Sequence, residues 1–371
     1  MKLSIERAAL LRSLSHVQSV VERRNTIPIL SNVRMIAADG VLSLAATDMD
    51  MEINESVAAN VSTEGSTTAP AHTLHDIVRK FPDGSEVELT LNAEGTQMTV
   101  KAGRSQFKLS CLPVGDFPEV GAGDMPTGFA VPAADLRALI DRTKFAMSTE
   151  ETRYYLNGIY LHAAEREGVQ VLRAVATDGH RLARFEMPLP EGAGDMPGII
   201  IPRKLIGELR KLVDEAADTI AISLSEAKIK FAFDHVILTS KLIDGTFPDY
   251  QRVIPEGNDK IVEVNAKLLT SAVDRVSTIS DGKSRAVKIA MNGKLMTISA
   301  SSAEAGSATE EVEVQGETDI EIGFNAKYLL DITSQIEGEG CRFTLADAAS
   351  PTIIQDNSDP TALYVLMPLR V

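Results

Sequence analysis

The stretch GFNAKYLLDIT (residues 323–333) decides the fold, because the chain carries it in six variant forms. The others are SIERAALLRSL (4–14), TAPAHTLHDIV (68–78), AVPAADLRALI (130–140), IIPRKLIGELR (200–210) and EVNAKLLTSAV (263–273). Aligned on Leu10, Leu74, Leu136, Ile206, Leu269 and Leu329, they recur every 60–70 residues. A period that regular marks a repeat architecture rather than a single-site motif. Each copy runs from a strand-like stretch through Pro, Asn or, once, Glu into an apolar helix. Leu10, Leu14, Val17 and Val21 form one stripe, as do Ile206, Leu209 and Val213, and Leu329, Ile332 and Ile336, the spacing of an amphipathic helix. Pro70, Pro132 and Pro202 suit a first helical turn; Asn265 and Asn325 suit a cap.

Between the helices the period falls to two. Residues 87–91, 220–224, 228–233 and 295–298 alternate apolar and polar, as antiparallel strands with one buried face do. Asp39-Gly40, Asp83-Gly84, Glu94-Gly95 and Asn292-Gly293 are the turn signals among them. The units also pair. LSLAATDMDMEI (42–53) answers VLRAVATDGHRLARFEMP (171–188), and FKLSCLPVGDFPEV (107–120) answers LTSKLIDGTFPDYQRVIP (238–255). The fold class is therefore α+β, with three similar domains, each of two helix-plus-antiparallel-strand units. Boundaries fall in GAGDMPTG (121–128) and in IPEGND (254–259), giving domains 1–126, 127–256 and 257–371, a usual domain size.

Composition narrows the function. Of 371 residues 44% are hydrophobic and 24% charged, ordinary for a folded chain. No apolar run reaches membrane-spanning length, and the charged start MKLSIERAAL lacks a secretory h-region. Cys111 and Cys341 lack the spacing of a zinc site or a disulfide framework, so neither metal nor disulfides are expected, and a reducing cytoplasm fits. The net charge of −15 argues against holding nucleic acid by bulk attraction. The charge is segregated, however. The six helical segments hold 17 Lys and Arg against 11 Asp and Glu, leaving −21 for the rest. Good helix propensity of Lys and Arg is one explanation. A shared basic helix surface facing a polyanion is the other.

At this point the sequence resembles the bacterial DNA polymerase III beta subunit family, the sliding clamps. The resemblance runs from Met1 to Val371. It is carried by RRNTIPILSNV (23–33), LSLAATDMDMEI, RYYLNGIYL (153–161), VATDGHRLA (175–183), IIPRK (200–204), SKLIDGTFPDYQRVIP (240–255), EIGFNAKYLLD (321–331) and YVLMPLRV (364–371). It implies the DNA clamp fold, a head-to-tail homodimeric ring with twelve helices around a hole. It also implies a non-catalytic processivity factor that encircles double-stranded DNA without sequence preference and tethers the replicative polymerase and other proteins. A clamp loader becomes a further partner. The loader would supply the ATP chemistry, because this chain has no GxxxxGK[ST] motif; no cofactor of its own is expected.

The resemblance also implies three sets of site residues. A peptide pocket between the second and third domains would draw Arg153, Tyr155 and Leu156 from RYYLNG, and Thr177, Gly179, His180, Arg181 and Leu182 from ATDGHRL. Pro248, Arg252 and Val253 come from FPDYQRV, and Asn325 and Tyr328 from FNAKY. The C-terminal tail supplies Val365, Met367, Pro368, Leu369 and Arg370. An apolar slot framed by donors suits a short peptide with apolar anchors; ordinary core packing is the competing reading for Leu156, Val253 and Val365. DNA contacts fall to Arg24, Tyr154, Tyr155, Arg203 and Lys204, through phosphate contacts and stacking. The dimer interface would set Phe107, Leu109 and Ile279 together. Lys101, Arg104 and Lys108 would face Glu304, Glu310, Glu311 and Glu313, against the alternative of a charged, aggregation-resistant edge. Three positions depart from the family pattern: Pro351 on the pocket rim in place of a common Ser, Glu150 in place of Gln, and His72 in place of Arg.

Two other readings stand beside this one. The first is an enzyme built on Asp178 and His180, although Thr-Asp-Gly-His reads first as a turn and no nucleophile motif accompanies it. The second is a specialised member of the same family. Asp48, Asp50 and Glu52, alternating along one predicted strand face, read as a solvated surface rather than a metal site.

Overall fold

Helices form where the repeat places them. The computed structural model describes residues 1–121, 123–216, 218–280 and 285–370. Among these are α1 (Arg7–Val20), α2 (Ala71–Lys80), α3 (Ala133–Thr143), α4 (Arg203–Val213), α5 (Ala266–Ser277) and α6 (Ala326–Thr333). All six residues used to align the repeat are buried, none above 4% exposed. Burying a leucine that completely stabilises by about 2–3 kcal/mol relative to leaving it in water. No helix among the described residues is long and apolar enough to cross a membrane.

In α1, α5 and α6 the side chain of the residue before the helix caps it. Asn265 Oδ1 accepts from Leu268 N at 3.0 Å and Asn325 Oδ1 from Tyr328 N at 3.2 Å. Glu6 does the same for α1, accepting from Ala9 N at 2.9 Å. Pro70, by contrast, is the cap residue of α2 rather than a member of its first turn, and Pro132 and Pro202 likewise close the preceding strands. Here proline's fixed φ steers the chain out of the strand. The helices are shorter than the apolar stripes suggest. Ile336 lies beyond the end of α6 and is only half-buried. Asp281 and Lys283, counted above with the fifth helix, lie outside the described residues, as does Val371.

The chain divides into two compact units. One comprises Met1–Leu136, Pro190–Asp195 and Gly207–Leu242, and the other Arg137–Leu189, Met196–Ile206 and Ile243–Val371. The first holds a five-stranded sheet, ordered Asn60–Thr63, Lys2–Glu6, Glu86–Leu91, Gln97–Ala102, Ser105–Ser110. It also holds an eight-stranded sheet in which Val236–Lys241 pairs antiparallel with Met51–Ala58. In this unit α1 lies on Val41–Thr47 and Met51–Ala58, beside α2. The second unit holds a twelve-stranded sheet in which Arg181–Pro188 pairs antiparallel with Ala362–Leu366, and α5 lies on Leu295–Ser302 and Gly306–Gln315 beside α6. The two pairings are the same device used twice. Thr239 faces Glu52 in one and Val365 faces Leu182 in the other.

Candidate functional site

The turn at 177–181 organises the site. Thr177 Oγ1 donates to Arg181 O at 2.7 Å and accepts from Gly179 N at 3.1 Å. Asp178 Oδ1 accepts from His180 N at 2.9 Å and Arg181 N at 3.0 Å. Gly179 sits at φ +86°, a left-handed backbone that favours glycine; a Cβ there would meet only the movable end of the Arg153 side chain, 2.8 Å from Nη1. Arg181, though buried, is fully engaged. It donates from Nε to Asp178 Oδ2 at 3.1 Å, from Nη2 to Phe145 O at 2.6 Å, and from Nη1 to Asp331. Its guanidinium also covers the Tyr328 ring at 4.3 Å, and the His180 ring stacks on the same tyrosine. The Asn325 cap thus holds α6 where Tyr328 meets the turn. The Asp178 carboxylate is spent on Arg181 and two backbone N–H groups, so it does not orient His180 as a base.

The same turn chemistry recurs at Thr47–Met51, where Asp48 Oδ1 accepts from Asp50 N and Met51 N at 2.9 and 2.8 Å. This corrects the expectation of one strand face. Asp48 and Asp50 belong to the turn, while Glu52 lies in the strand, buried and bonded to Asn54 Nδ2 and Val120 N. A local side-chain-to-backbone turn outcompeted the strand.

An apolar floor adjoins the 177–181 turn. Leu156, Leu182 and Val365 are buried in one cluster with Phe247 and Tyr250, and Tyr155 packs against it. Above it the rim is open. Val253 is 49% and Met367 39% exposed, and Pro248, Arg153, Arg252 and His180 are also exposed. Met367 N donates to His180 O at 2.9 Å. Arg153 and Arg252 pair with Glu150 and Asp249 at 3.4 and 2.8 Å. The tail then turns away. Leu369 N bonds Gly323 O at 2.8 Å, carrying Pro368 and Leu369 towards the strand before α6. Arg370 borders a separate groove with Lys288 and Ser299. Pro351 offers its carbonyl to Asn258 Nδ2 at 2.9 Å. Exposed apolar side chains near a buried apolar cluster, with cations among them, are the residue types that suit apolar anchors.

The remaining candidates fall elsewhere. Arg24, Tyr154, Arg203 and Lys204 are exposed, and Tyr154 stands edge-on to Tyr155 at 5.6 Å. His72 Nε2 lies 3.0 Å from Val21 O. Ser105–Ser110 is the last strand of its sheet, with Arg104 and Phe107 exposed, Leu109 buried, and Phe107 against Phe81 at 5.9 Å. Among the described residues, 306–313 pair on one side only. Glu304 is exposed and Ile279 half-buried. Glu310, expected to face the basic cluster, has both its oxygens held by Arg275 of α5. Lys101 similarly meets Glu88 at 3.7 Å within its own sheet.

Sequence reasoning missed a buried polar group beside the apolar cluster. Arg173 donates from Nε to Glu186 Oε1 at 2.7 Å and from Nη1 to Tyr250 Oη at 2.9 Å. His162 Nε2 lies 3.0 Å from the same hydroxyl. Burial pushes the His162 pKa below the ordinary histidine value and the Arg173 charge adds to this, against the hydrogen bond to Ala163 O. The signal available was an arginine in the otherwise apolar run 171–176.

Three family profiles match in series: the DNA polymerase III beta subunit N-terminal domain over residues 1–121, its central domain over 130–249 and its C-terminal domain over 251–370. The beta sliding clamp of Caulobacter vibrioides is 54% identical over 372 residues, covering all of both chains. Among solved structures, a Caulobacter crescentus beta sliding clamp superposes with TM-score 0.98 at 54% identity, covering 100% of this chain and 99% of that one. A Bartonella birtlesii sliding clamp bound to griselimycin superposes with TM-score 0.97 at 49% identity over the whole of both chains.

Proposed function

Because the chain belongs to the DNA polymerase III beta subunit family, the sliding clamps, we propose that two copies close head to tail into a ring around duplex DNA and hold partner peptides in the cleft of Leu156, Leu182, Val253, Val365 and Met367. The protein is a non-catalytic processivity factor of the polymerase. Its three-domain clamp fold divides in this reading at 126/127 and 256/257. A tether makes each rebinding intramolecular, at high effective concentration. Topological linkage also reconciles a net charge of −15 with residence on DNA. Weak contacts from Arg24, Tyr154, Tyr155, Arg203 and Lys204 favour phosphate without fixing register. A clamp loader opens the ring, and the cytoplasm is the compartment the reading requires.

The observation that carries the partner-binding part is the exposure of Val253 and Met367 above a buried apolar floor. The bound griselimycin of the Bartonella relative fits a fold that offers a ligand cleft, and we assign that role here to this cleft. The ring is tested by retention. The protein is loaded by its loader onto nicked circular DNA, which is then linearised. Loss on linearisation with retention on the circle is the expected result; equal retention on both forms would mean ordinary contact binding and sink the ring.

A further inference from the structure

The cleft wall formed by residues 247–253 is held from beneath by a chain of buried polar groups. His162, Arg173 and Glu186 are direct neighbours across three strands, Gly158–Arg166, Val169–Thr177 and Arg181–Pro188. They share a sheet face with Leu182, which lies four residues before Glu186 on the same strand. Arg173 and Glu186 are 6% and 2% exposed. The hydrogen bonding along the chain has one consistent direction. His162 Nδ1 lies 2.8 Å from Ala163 O, an acceptor only, so Nδ1 carries the proton. Nε2 of the neutral ring must then accept from the Tyr250 hydroxyl at 3.0 Å, while that oxygen accepts from Arg173 Nη1 at 2.9 Å. The hydroxyl therefore has one donor and one acceptor, each in its place. A second clamp is aromatic. Tyr160 lies between His162 and Phe247, with centroids at 4.6 and 4.9 Å and the Phe247 ring within 7° of parallel.

Phe247 and Tyr250 are the buried ends of this wall, and Pro248 and Val253 are its exposed face. Among the described residues, Tyr250 is the side chain of this wall that ties it to the sheet by hydrogen bonds. We propose that His162, Arg173 and Glu186 are positioning residues for partner binding. By fixing the Tyr250 hydroxyl they set where Pro248 and Val253 stand, and so the width of the slot that apolar anchors enter. This rests on the cleft reading above. None of the three needs to touch the peptide. A buried hydrogen bond to a charged donor is worth enough that its loss, passed to the wall, predicts about a tenfold weaker complex.

The test uses the full-length protein and a fluorescein-labelled short peptide with leucine anchors, read by anisotropy. Tyr250→Phe keeps the ring packing and removes only the hydroxyl. It is expected to raise Kd about tenfold while retention on circular DNA is unchanged. His162→Leu should match it, and His162→Gln, whose amide oxygen can still accept, should restore much of the affinity. In a Val253→Ala background, Tyr250→Phe should add little, because the wall residue through which it acts is already cut back. A purely structural role would lower the melting temperature and leave Kd unchanged in both backgrounds. Tyr250→Phe with wild-type Kd would overturn the proposal, even if His162→Leu fails to fold. Val253→Asp separates the two readings. If it abolishes binding while Tyr250→Phe does nothing, the cleft stands and the positioning role falls. If it too is silent, the cleft reading fails and the proposal falls with it.

Discussion

His16 presents both ring nitrogens to carboxylates. Nδ1 lies 2.7 Å from Glu55 Oε2 and Nε2 lies 3.1 Å from Glu215 Oε1. A neutral imidazole has a single N–H, so both contacts are hydrogen bonds only when the ring is protonated. Around it stand Arg12, bonded to Glu215 at 2.7 Å, Ser13, bonded to Glu55 at 2.7 Å, and Asp234 and His235 on the same cavity wall. Burial pulls the His16 pKa down, but the hydrogen bonds and charges of Glu55 and Glu215 outweigh it and leave the pKa raised. A raised folded pKa contributes stability that is complete below the unfolded value of about 6.5 and is lost as pH rises through the folded value. The unfolding midpoint of the wild type should therefore fall between about pH 6 and about pH 9 by more than that of His16→Gln. Parallel curves for the two proteins would remove His16 from the pH response. Nothing in the pattern of α1 announces this residue. His16 sits beside the stripe residue Val17, and its partners lie 39 and 199 positions away.

At the scale of elements, legibility followed locality. Helices were readable because the 3.6-residue stripe and the cap both lie within one short segment. Asn325 shows how much one cap carries. It satisfies the Tyr328 N–H and so fixes the first turn of an eight-residue helix, too short to persist on its own. Asn325→Ala should cost about 1 kcal/mol of stability. It should also loosen Tyr328 from Arg181 and His180, visible as faster amide exchange in α6 and the 177–181 turn. Unchanged exchange there would show that tertiary packing alone holds the helix end. Strands were readable by alternation, but their partners were not. The pairing of Val236–Lys241 with Met51–Ala58 spans about 180 residues, and no local period encodes a partner that distant. The site divides the same way. The 177–181 turn was legible as a turn from Asp and Gly, and the cleft residues from resemblance to a family. The support beneath them was not, because His162, Arg173 and Glu186 belong to three strands and act as a group only once the register is set.

At the scale of the whole molecule, two strand edges among the described residues carry charge clusters of opposite sign. Ser105–Ser110 ends its sheet with Arg104 and Lys108 beside the exposed Phe107. Residues 306–313, unpaired on one side, carry Glu310, Glu311 and Glu313. Exposed strand edges invite pairing with another chain, and here the flanking charges have opposite sign, which selects edge with unlike edge. Pairing each with its opposite in a second copy is a head-to-tail contact, and in the proposed ring the second such contact closes the assembly at two and leaves neither edge free. Glu310 is already held by Arg275, which leaves Glu304, Glu311 and Glu313 as the acidic contribution. Phe107, 41% exposed on its own sheet, is the apolar plug of the proposed contact. Phe107→Asp would place a carboxylate in it, a cost of about 3 kcal/mol or more and so at least a hundredfold in dimer affinity. In sedimentation at micromolar concentration the variant should run as a monomer. It should also be lost from circular DNA as fast as from linear DNA, while its peptide affinity is unchanged, because the cleft lies within one chain. A variant that sediments as a dimer would place the interface on other surfaces. A monomer still retained on circles would mean that retention does not depend on a closed ring.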